Sequence, residues 1–350
     1  METFSIHRRR IGDGEPPYVI AEIGSNHNGD MALCRTLIDA AKECGADAVK
    51  FQSWSKHSLI SKAEYARRVH YDDKEKHFGT LEEMVERYQF TEAQHHEIAA
   101  YCQDNGITFL SSVFSPREVD LLQSLDVGAF KIASMDVTHL PLLRYVGQTG
   151  RPVILSTGMA TLAEIERAVL TLRESGSGPI SLLHCISIYP PAFETIDLRN
   201  IVSLRQMFQL PVGFSDHSLG VSIPLAAIAL GACIIEKHFT IDKSLQGWDH
   251  AISADPTELE VICREGRNVF AALGRYERIV SPEELNKRKA FRRRVVLARP
   301  LPAGHCITED DLDYKRPGTG IGPEEAPYLV GRRLRRDLDA DHELEWSDLS

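Results

Sequence analysis

The stretch CIIEKHF, residues 233–239, is the last of eight short apolar runs that decide the fold. Its first residues are typical of a buried strand, but Glu236–His238 are three ionisable residues in succession. Seven earlier runs have the same apolar character: YVIAEIG (18–24), AVKFQS (48–53), TFLSSVF (108–114), AFKIAS (129–134), VILSTG (153–158), ISLLHC (180–185) and VGFSDH (212–217). The segments between them carry apolar residues at i, i+3, i+4 and i+7, which is helical spacing. Such alternation predicts a parallel sheet covered by helices.

Eight strand–helix units predict an α/β fold of the (β/α)8 TIM-barrel type, because eight parallel strands close such a barrel. The barrel domain is expected to span residues 1–274, close to the ~250 residues typical of this fold. A doubly wound open sheet is the alternative, but it gives no reason for eight units. Residues 54–90 follow the second strand without a strand pattern, and we interpret them as an inserted helical segment near the barrel mouth.

The chain after Gly274 has a different pattern. Residues 275–294 contain the basic stretch SPEELNKRKAFRRR (281–294), which we interpret as a helical linker. Residues 295–350 combine short strand patterns with Pro/Gly turns and predict a small, mostly β domain. At roughly 55 residues such a domain is marginally stable alone, so we expect it to dock on a larger surface.

Composition excludes several classes of protein. The 350 residues are 43% hydrophobic and 26% charged, as in ordinary globular proteins. A net charge of −10 argues against nucleic-acid or membrane partners. Neither a signal-peptide core nor a run of ~20 apolar residues is evident, so no membrane span is expected. The seven cysteines are scattered without a C-x-x-C pair, which predicts reduced thiols in the cytoplasm.

The C-terminal ends of barrel strands normally carry the catalytic side chains. Every predicted strand turns polar there, at Glu22, Lys50, Gln52, Ser111, Ser112, Lys131, Ser134, Asp136, Ser156, Thr157, Ser187, Tyr189, Ser215, Asp216, His217, Glu236, Lys237 and His238. A capping serine or a lysine that reaches solvent would explain any single strand. Because all eight agree, we interpret these ends as an active-site ring in which Glu236–His238 form one sector.

The residue types in this ring indicate its chemistry. Its lysines and serines suit a small anion such as phosphate. His217 and His238 come from adjacent strands, which favours a shared metal ion over two hydrogen-bonded core histidines. Imidazole alone would suit zinc or iron, whereas added water and carboxylate would suit magnesium or manganese. Glu22 and Glu236 are candidate general bases or water-orienting groups.

A series of motifs along the chain resembles the sialic acid synthases, a family that includes legionaminic and pseudaminic acid synthases. The motifs are IAEIGSNHNGD (20–30), KFQS (50–53), KIAS (131–134), LSTGMA (155–160), GFSDHSLG (213–220), IEKHFT (235–240) and KRPGTGI (315–321). The resemblance covers essentially the whole chain, and residues 295–350 resemble the family's antifreeze-like (SAF) domain.

The resemblance implies a condensation of phosphoenolpyruvate with an open-chain N-acylated hexose to a nine-carbon 2-keto sugar acid and phosphate. It implies a divalent ion, Mn²⁺ or Mg²⁺, on His217 and His238, which polarises the sugar aldehyde for attack by the methylene carbon. Water then adds, and the tetrahedral intermediate loses phosphate by C–O cleavage. N-acetylmannosamine and a 2,4-diacetamido-trideoxyhexose are both candidate acceptors.

The resemblance also assigns roles within the ring. Glu22 would transfer protons at the sugar or at water, and Glu236 would support the metal-bound water. His238 would be both a metal ligand and a catalytic residue. The groups that would hold phosphoenolpyruvate are Lys50, Ser112, Lys131, Ser134, Ser156 and Ser215. The groups that would face the sugar are Gln52, Asp136, Tyr189, Asp249 and Arg316. Arg316 would do so from the partner subunit of a domain-swapped homodimer, in which each tail caps the other barrel.

Departures from the family pattern fall near the sugar. Ser187 and Asp136 stand where N-acetylneuraminate synthases commonly have asparagine and glutamate, and GWDHAIS (247–253) lacks the proline of the usual GPDH. Three alternatives stay open: a synthase that condenses phosphoenolpyruvate with a different aldose, a Schiff-base aldolase, and a carbohydrate-binding protein without catalytic activity. The first would not need the KRPGTG tail, and the last leaves the polar strand ends unexplained.

Overall fold

The computed structural model describes residues 3–67, 80–316 and 318–350. The chain divides into two compact units, Met1–Gly274 and Arg275–Ser350. The residues predicted as a linker, 275–294, fall in the second unit. Among the described residues, no helix has both the length and the apolar character that a membrane span requires.

The first unit is built on a closed barrel of eight parallel strands, which confirms the predicted TIM-barrel fold. Two short strands precede the barrel, so that the strands of this unit are β1 (Phe4–Ile6), β2 (Arg9–Ile11), β3 (Tyr18–Gly24), β4 (Ala48–Ser53), β5 (Thr108–Val113), β6 (Phe130–Ile132), β7 (Val153–Ser156), β8 (Ile180–Cys185), β9 (Val212–Asp216) and β10 (Ile234–His238). The barrel closes where β10 pairs with β3, with His238 opposite Glu22. Closure of the barrel therefore brings residues that are far apart in sequence to one mouth, and the alternation of side chains along each strand decides which of them face the interior.

Helices cover the outside of the barrel. In the described residues they are α1 (Met31–Glu43), α2 (Lys56–Leu59), α3 (Lys62–Arg67), α4 (Leu81–Tyr88), α5 (Glu92–Asn105), α6 (Pro116–Ser124), α7 (Leu140–Gly147), α8 (Leu162–Glu174), α9 (Asn200–Phe208), α10 (Ser222–Ala229) and α11 (Pro256–Leu273). Capping side chains fix the first residues of several helices. Thr161 accepts a hydrogen bond from the Glu164 backbone N–H at the start of α8, and Asp255 accepts one from the Glu258 backbone N–H at the start of α11. Apolar residues such as Phe51 and Leu155 form the core between strands and helices.

The insertion predicted at 54–90 is helical where it is described, in α2, α3 and α4, and its residues 68–79 lie outside the described part. Trp54, Tyr65 and Tyr88 pack there in a separate aromatic cluster. The Trp248 ring, from the GWDH loop, lies 5.8 Å from the Trp54 ring and 5.4 Å from the Tyr88 ring. The insertion is therefore packed against the loop that carries Asp249.

The hairpin of β1 and β2 fills the N-terminal end of the barrel. Phe4, Ile6 and Ile11 are buried in one cluster with the inward-facing residues Tyr18, Ile20, Ala48, Leu110, Ile154, Leu183 and Ile234. A side chain at Gly128 would lie 2.8 Å from Ile6 Cγ2, so the hairpin also needs a glycine beneath it. The sequence did not predict this hairpin, because strands of three residues rich in arginine carry no readable period.

The second unit contains one helix, α12 (Pro282–Phe291), and a paired β11 (Arg294–Leu297) and β12 (Leu312–Lys315) among its described residues. Isolated bridges such as Leu301↔Leu338 and Cys306↔Arg333 complete a small, mostly β structure. Val295, Leu297, Leu329 and Leu344 belong to its own buried core.

An internal repeat organises this unit: RPLPAGHCITEDDL (299–312) and RDLDADHELEWSDL (336–349) share Arg, Leu, Ala, His, Asp and Leu at the same six positions. In the first copy Asp311 is bound by Arg299 at 2.7 Å, by His305 at 2.8 Å and by the Thr308 backbone N–H at 2.9 Å. In the second copy Asp348 has the equivalent partners Arg336, His342 and the Glu345 backbone N–H. Each half is thus fastened by one buried aspartate.

Replacing Asp311 with asparagine is expected to lower the free energy of unfolding of this unit by about 2 kcal/mol at pH 7, because buried donors lose their charged acceptor. Burial opposes ionisation, yet His305 and the other donors hold the pKa of Asp311 below its ordinary value. The stabilisation is therefore present above about pH 4 and is lost as the pH falls further.

Hydrogen exchange of residues 295–350 in the full chain, measured from pH 7 to pH 3, checks this expectation. The matched control is Asp310→Asn, which removes an exposed carboxylate from the adjacent position. Equal protection in the two variants would contradict the proposed role of Asp311.

Candidate active site at the barrel mouth

Four buried charged side chains alternate in sign across the interior of the barrel mouth. Lys50 Nζ lies 2.7 Å from Glu22 Oε2 and 3.8 Å from Glu236 Oε2, and Lys131 Nζ lies 3.6 Å from Glu236 Oε1. None of the four side chains is more than 7% exposed. The order Glu22–Lys50–Glu236–Lys131 places two ammonium groups on either side of one carboxylate. Four residues predicted as site residues thus lie together, and we call them the charged ring.

Hydroxyl groups surround the charged ring. Ser112 accepts a hydrogen bond from Lys50 at 3.2 Å, and Ser156 accepts one from Lys131 at 2.7 Å. Ser215 donates to Glu236 Oε1 at 3.0 Å, and Ser134 accepts from the Gly158 backbone N–H at 3.0 Å. All four serines predicted to hold phosphoenolpyruvate therefore lie at the strand ends, three of them bonded to the ring itself. Ammonium and hydroxyl donors of this kind suit an anion.

The two carboxylates of the ring differ in acidity. Burial raises the pKa of Glu22 above its ordinary value, and Lys50 only partly offsets that shift. Burial acts in the same direction on Glu236, but the Lys131 and Lys50 ammonium groups outweigh it and lower its pKa. Two neighbouring carboxylates whose pKa values are moved apart in this way are typical of an active site in which the group with the higher pKa exchanges protons. Burial also lowers the pKa of Lys131, whereas its neighbours Glu22 and Glu236 raise that of Lys50 against the effect of burial.

The two predicted metal-ligating histidines are neighbours at the edge of the ring. The His217 and His238 ring centroids are 5.4 Å apart, and the Tyr189 ring lies 4.0 Å from the His217 ring at an interplanar angle of 36°. His217 Nδ1 is hydrogen-bonded to the Ile186 carbonyl at 2.8 Å, and the Cys185 thiol is a second hydrogen-bond partner of this imidazole. His238 Nδ1 lies 3.7 Å from Asp249 Oδ2. Burial, and secondarily His217, holds the pKa of His238 well below its ordinary value, which favours the neutral imidazole that metals bind.

The described residues fit a metal site that the protein only partly supplies. His238 Nδ1 and Glu236 Oε2 are buried and have no hydrogen-bond partner in the part of the chain that the structure describes. Within that same part, no three His, Cys, Asp or Glu residues are grouped closely enough to hold an ion by themselves. An ion held at this place would have two imidazoles as protein ligands, and its remaining positions would be left for water and substrate.

The residues predicted to face the sugar are divided between the two units: Gln52, Asp136, Tyr189 and Asp249 belong to the barrel unit and Arg316 to the second unit. Gln52 donates to Glu22 Oε1 at 2.7 Å. Asp136 is buried after β6, 3.3 Å from His139 Nδ1, and burial raises its pKa above the ordinary value. Arg316 lies in the second unit, where its guanidinium carbon is 5.4 Å from the centroid of the Phe291 ring. Pro317, which the predicted RPG turn includes, lies outside the described residues.

Three residues assigned to the ring do not face the barrel interior. Lys237 and Asp216 alternate with Glu236 and His217 along their strands, so their side chains point to the helix-covered side. There the Lys237 Nζ–Asp216 Oδ2 distance is 2.8 Å. Ser111 faces the same side and is 2.7 Å from Ser53 Oγ. The interpretation of Glu236–His238 as one sector was therefore wrong for Lys237, since successive strand residues cannot share a face.

Cys185, the last residue of β8, also lies at the mouth and was not among the predicted site residues. Burial would raise the pKa of the Cys185 thiol, but hydrogen bonds with His217 and Ser134 lower it. A side chain at Gly158 would lie 2.3 Å from Ser187 Oγ and 3.2 Å from Cys185 Sγ, so this wall of the mouth is closely packed. The signal was available, because Cys185 is the last residue of the sixth apolar run.

A closed barrel with buried lysines, carboxylates and histidines at its C-terminal mouth defines an enzyme of the TIM-barrel class. Comparison with family models narrows that class: residues 37–278 match the NeuB family and residues 292–350 match the SAF domain. The chain belongs to the NeuB family of sialic acid synthases and is a transferase of that type.

Three relatives illustrate this membership. The N,N'-diacetyllegionaminic acid synthase of Legionella pneumophila is 40% identical over 95% of this chain and 94% of its own. The pseudaminic acid synthase of Helicobacter pylori is 33% identical over 96% of this chain and 98% of its own. The crystal structure of the N-acetylneuraminic acid synthetase of Leptospira borgpetersenii superposes with a TM-score of 0.74 at 33% identity, over 82% of this chain and 95% of the other.

Proposed function

We propose that this enzyme condenses phosphoenolpyruvate with an N-acylated hexose to form a nine-carbon 2-keto sugar acid and inorganic phosphate. The observation that carries the proposal is the charged ring with its hydroxyl groups, next to the histidine pair. Two ammonium groups on either side of Glu236 match a substrate with both phosphate and carboxylate groups. The seven unpaired cysteines support a reducing, cytoplasmic location.

The residues of the ring take distinct parts in this reaction. Lys50 and Lys131, with Ser112, Ser134, Ser156 and Ser215, bind the phosphate and carboxylate of phosphoenolpyruvate. Glu22, whose pKa is raised, holds and transfers a proton at the sugar oxygen or at the attacking water. Glu236 stays charged and orients the groups beside His238.

His217 and His238 would hold a divalent cation, with Mn²⁺ the first candidate and Mg²⁺ the second. When bound, this ion supplies Lewis-acid polarisation of the sugar carbonyl. The protein's own contribution is to keep His238 neutral by burial and to fix the ring of His217 through its bond to the Ile186 carbonyl. Asp249, whose Oδ2 lies 3.7 Å from His238 Nδ1, would face the sugar beside this imidazole.

The acceptor sugar that we favour is a 2,4-diacetamido-trideoxyhexose rather than N-acetylmannosamine. The Legionella relative named for diacetyllegionaminic acid is 40% identical, against 33% for the N-acetylneuraminic acid synthetase of Leptospira borgpetersenii. Asp136 is one methylene shorter than the glutamate common in N-acetylneuraminate synthases, and a shorter side chain leaves room for a second acetamido group. Gln52 and Tyr189 would contact the rest of the sugar.

A homodimer would complete this site. Exposed apolar side chains follow the C-terminal ends of β6–β9, namely Met135, Met159, Ile188 and Leu219, each at least 50% exposed. An apolar rim of this kind supports a cover over the mouth. We propose that the second unit of the partner subunit supplies the cover and brings Arg316 to the acyl group of the sugar.

Phosphate release tests the proposed reaction. Phosphoenolpyruvate should release phosphate only when Mn²⁺ and a 2,4-diacetamido-trideoxyhexose are both present, with N-acetylmannosamine a slower acceptor. A Schiff-base aldolase would instead leave a borohydride-trapped adduct on a lysine, for which the lowered pKa of Lys131 makes that residue the one to examine. Release of phosphate with every aldose would favour a synthase that acts on a different aldose. Release with none would favour a carbohydrate-binding protein without catalytic activity.

The phosphate should leave by C–O cleavage. If the oxygen that bridges carbon and phosphorus in phosphoenolpyruvate is labelled with ¹⁸O, the label should appear in the released phosphate, because water supplies the oxygen of the product's keto group. Mass spectrometry of phosphate and of the sugar acid measures both pools. Label that stays in the sugar acid would rule out addition of water before phosphate departs.

A further inference from the structure

A buried ion pair lies directly behind the histidine pair, on the opposite face of β9 and β10. Lys237 and Asp216 are paired across these strands in register, and their side chains are 1% and 0% exposed. Their chain neighbours are the two proposed metal ligands, since His217 follows Asp216 and His238 follows Lys237. The pair therefore joins the two strands at the level where the histidines enter the mouth.

This location is unusual within the barrel. The structure describes all eight strands completely, and their outward positions are otherwise occupied by apolar residues such as Val49, Phe51, Phe214 and Ile235, with two serines and one histidine. No other Asp, Glu, Lys or Arg points outward from these strands. A buried ion pair adds little net stability compared with apolar residues of similar volume, so stability alone does not explain it.

The ion pair also fixes the backbone that follows His217. Asp216 Oδ1 accepts a hydrogen bond from the Ser218 N–H at 2.8 Å, while Oδ2 faces Lys237. Lys237 Nζ in turn donates to the Ser218 carbonyl. Both polar groups of the Ser218 main chain are thus engaged, and the His217 backbone is held between Asp216 and Ser218. Apolar substitutes could fill the space but could not make these bonds.

We propose that Lys237 and Asp216 are positioning residues, which set the separation and orientation of His217 and His238 and thereby the affinity of the mouth for a divalent cation. The inference rests on the proposed metal-dependent function. Loss of a residue hydrogen-bonded to a metal ligand typically lowers metal affinity or activity by about 10- to 100-fold. Asp216 and Lys237 act on the backbone beside the ligands and not on the imidazoles themselves, and we expect an effect of the same order. The separation to be maintained is the 5.4 Å between the two ring centroids.

The test uses the double variant Asp216→Asn/Lys237→Met in the full chain, because it removes both charges and leaves no unpaired ion in the interior. We expect the Kd for Mn²⁺, measured by electron paramagnetic resonance, to rise by about 10-fold or more. We expect kcat to fall by about 10- to 100-fold. The KM for phosphoenolpyruvate should change less than about threefold, since the ring that binds it is intact. Asp216→Asn alone, which keeps an oxygen for the Ser218 N–H, should show a smaller shift in the same direction and serves if the double variant does not fold.

The matched control is Arg9→Met/Asp47→Asn, at the other end of the barrel. Asp47 likewise binds a cation, Arg9 at 3.2 Å, and a backbone N–H, that of Val19 at 2.8 Å. This control should bind Mn²⁺ as the unmodified chain does. Equal Mn²⁺ affinity and kcat in the Asp216/Lys237 variants would refute the inference alone and leave the proposed function standing. An unmodified chain that binds no Mn²⁺ would refute the metal and this inference together.

Discussion

Replacing His217 or His238 with alanine should lower kcat by about 1000-fold and weaken Mn²⁺ binding. Polarisation of a carbonyl by a bound metal contributes several kcal/mol, and about 4 kcal/mol corresponds to this factor. The described residues offer no third ligand in reach, so loss of either imidazole removes half of the protein's contribution. The measurements are steady-state phosphate release and Mn²⁺ titration followed by electron paramagnetic resonance.

The matched control is His95→Gln, since His95 is also buried but lies on α5, hydrogen-bonded to Ser53 at 2.8 Å. It should reduce kcat less than about threefold. Near-normal turnover of either alanine variant in metal-stripped buffer would show that the histidines do not hold the catalytic ion.

Two inactive variants should restore activity to each other if the active site is shared between subunits. Arg316→Ala is expected to lose about 100-fold in kcat/KM, equivalent to about 3 kcal/mol for a charged hydrogen bond. Glu22→Ala should lose about 100- to 10,000-fold through the missing proton transfer. In a mixed dimer, one barrel keeps Glu22 and receives the intact Arg316 of the other chain.

Half of the dimers in an equal mixture are mixed, and each has one complete site, so about a quarter of the sites should become active. Subunit exchange is verified by native mass spectrometry before turnover is measured, and each variant alone under the same treatment is the control. Verified exchange without recovery would mean that Arg316 acts on its own barrel or not on the sugar at all.

The barrel could be predicted because its signal is repeated eight times in the sequence. Each strand is a short apolar run that ends in polar residues. The prediction of a barrel therefore does not depend on any one run being assigned correctly. The same regularity predicted which side chains meet, as with Lys50 and Glu22, which are 28 residues apart in sequence and 2.7 Å apart in space.

The remaining features depend on geometry that a strand pattern does not encode. Lys237 follows Glu236 in sequence, and only the alternation of strand faces separates their roles. The hairpin of β1 and β2 is too short to show a period, and the repeat around Asp311 and Asp348 preserves only scattered identities. The choice of acceptor sugar depends on the shape of the mouth around Asp136 and Trp248. Composition and motif spacing do not predict that shape.

The hairpin of β1 and β2, together with the inward-facing side chains of the barrel, closes the barrel interior at the end opposite the mouth. Phe4, Ile6 and Ile11 seal its floor with apolar side chains. In the proposed reaction, both substrates and both products would therefore enter and leave through the mouth. A cover over the mouth would then control the order in which the two products, phosphate and the sugar acid, leave the site.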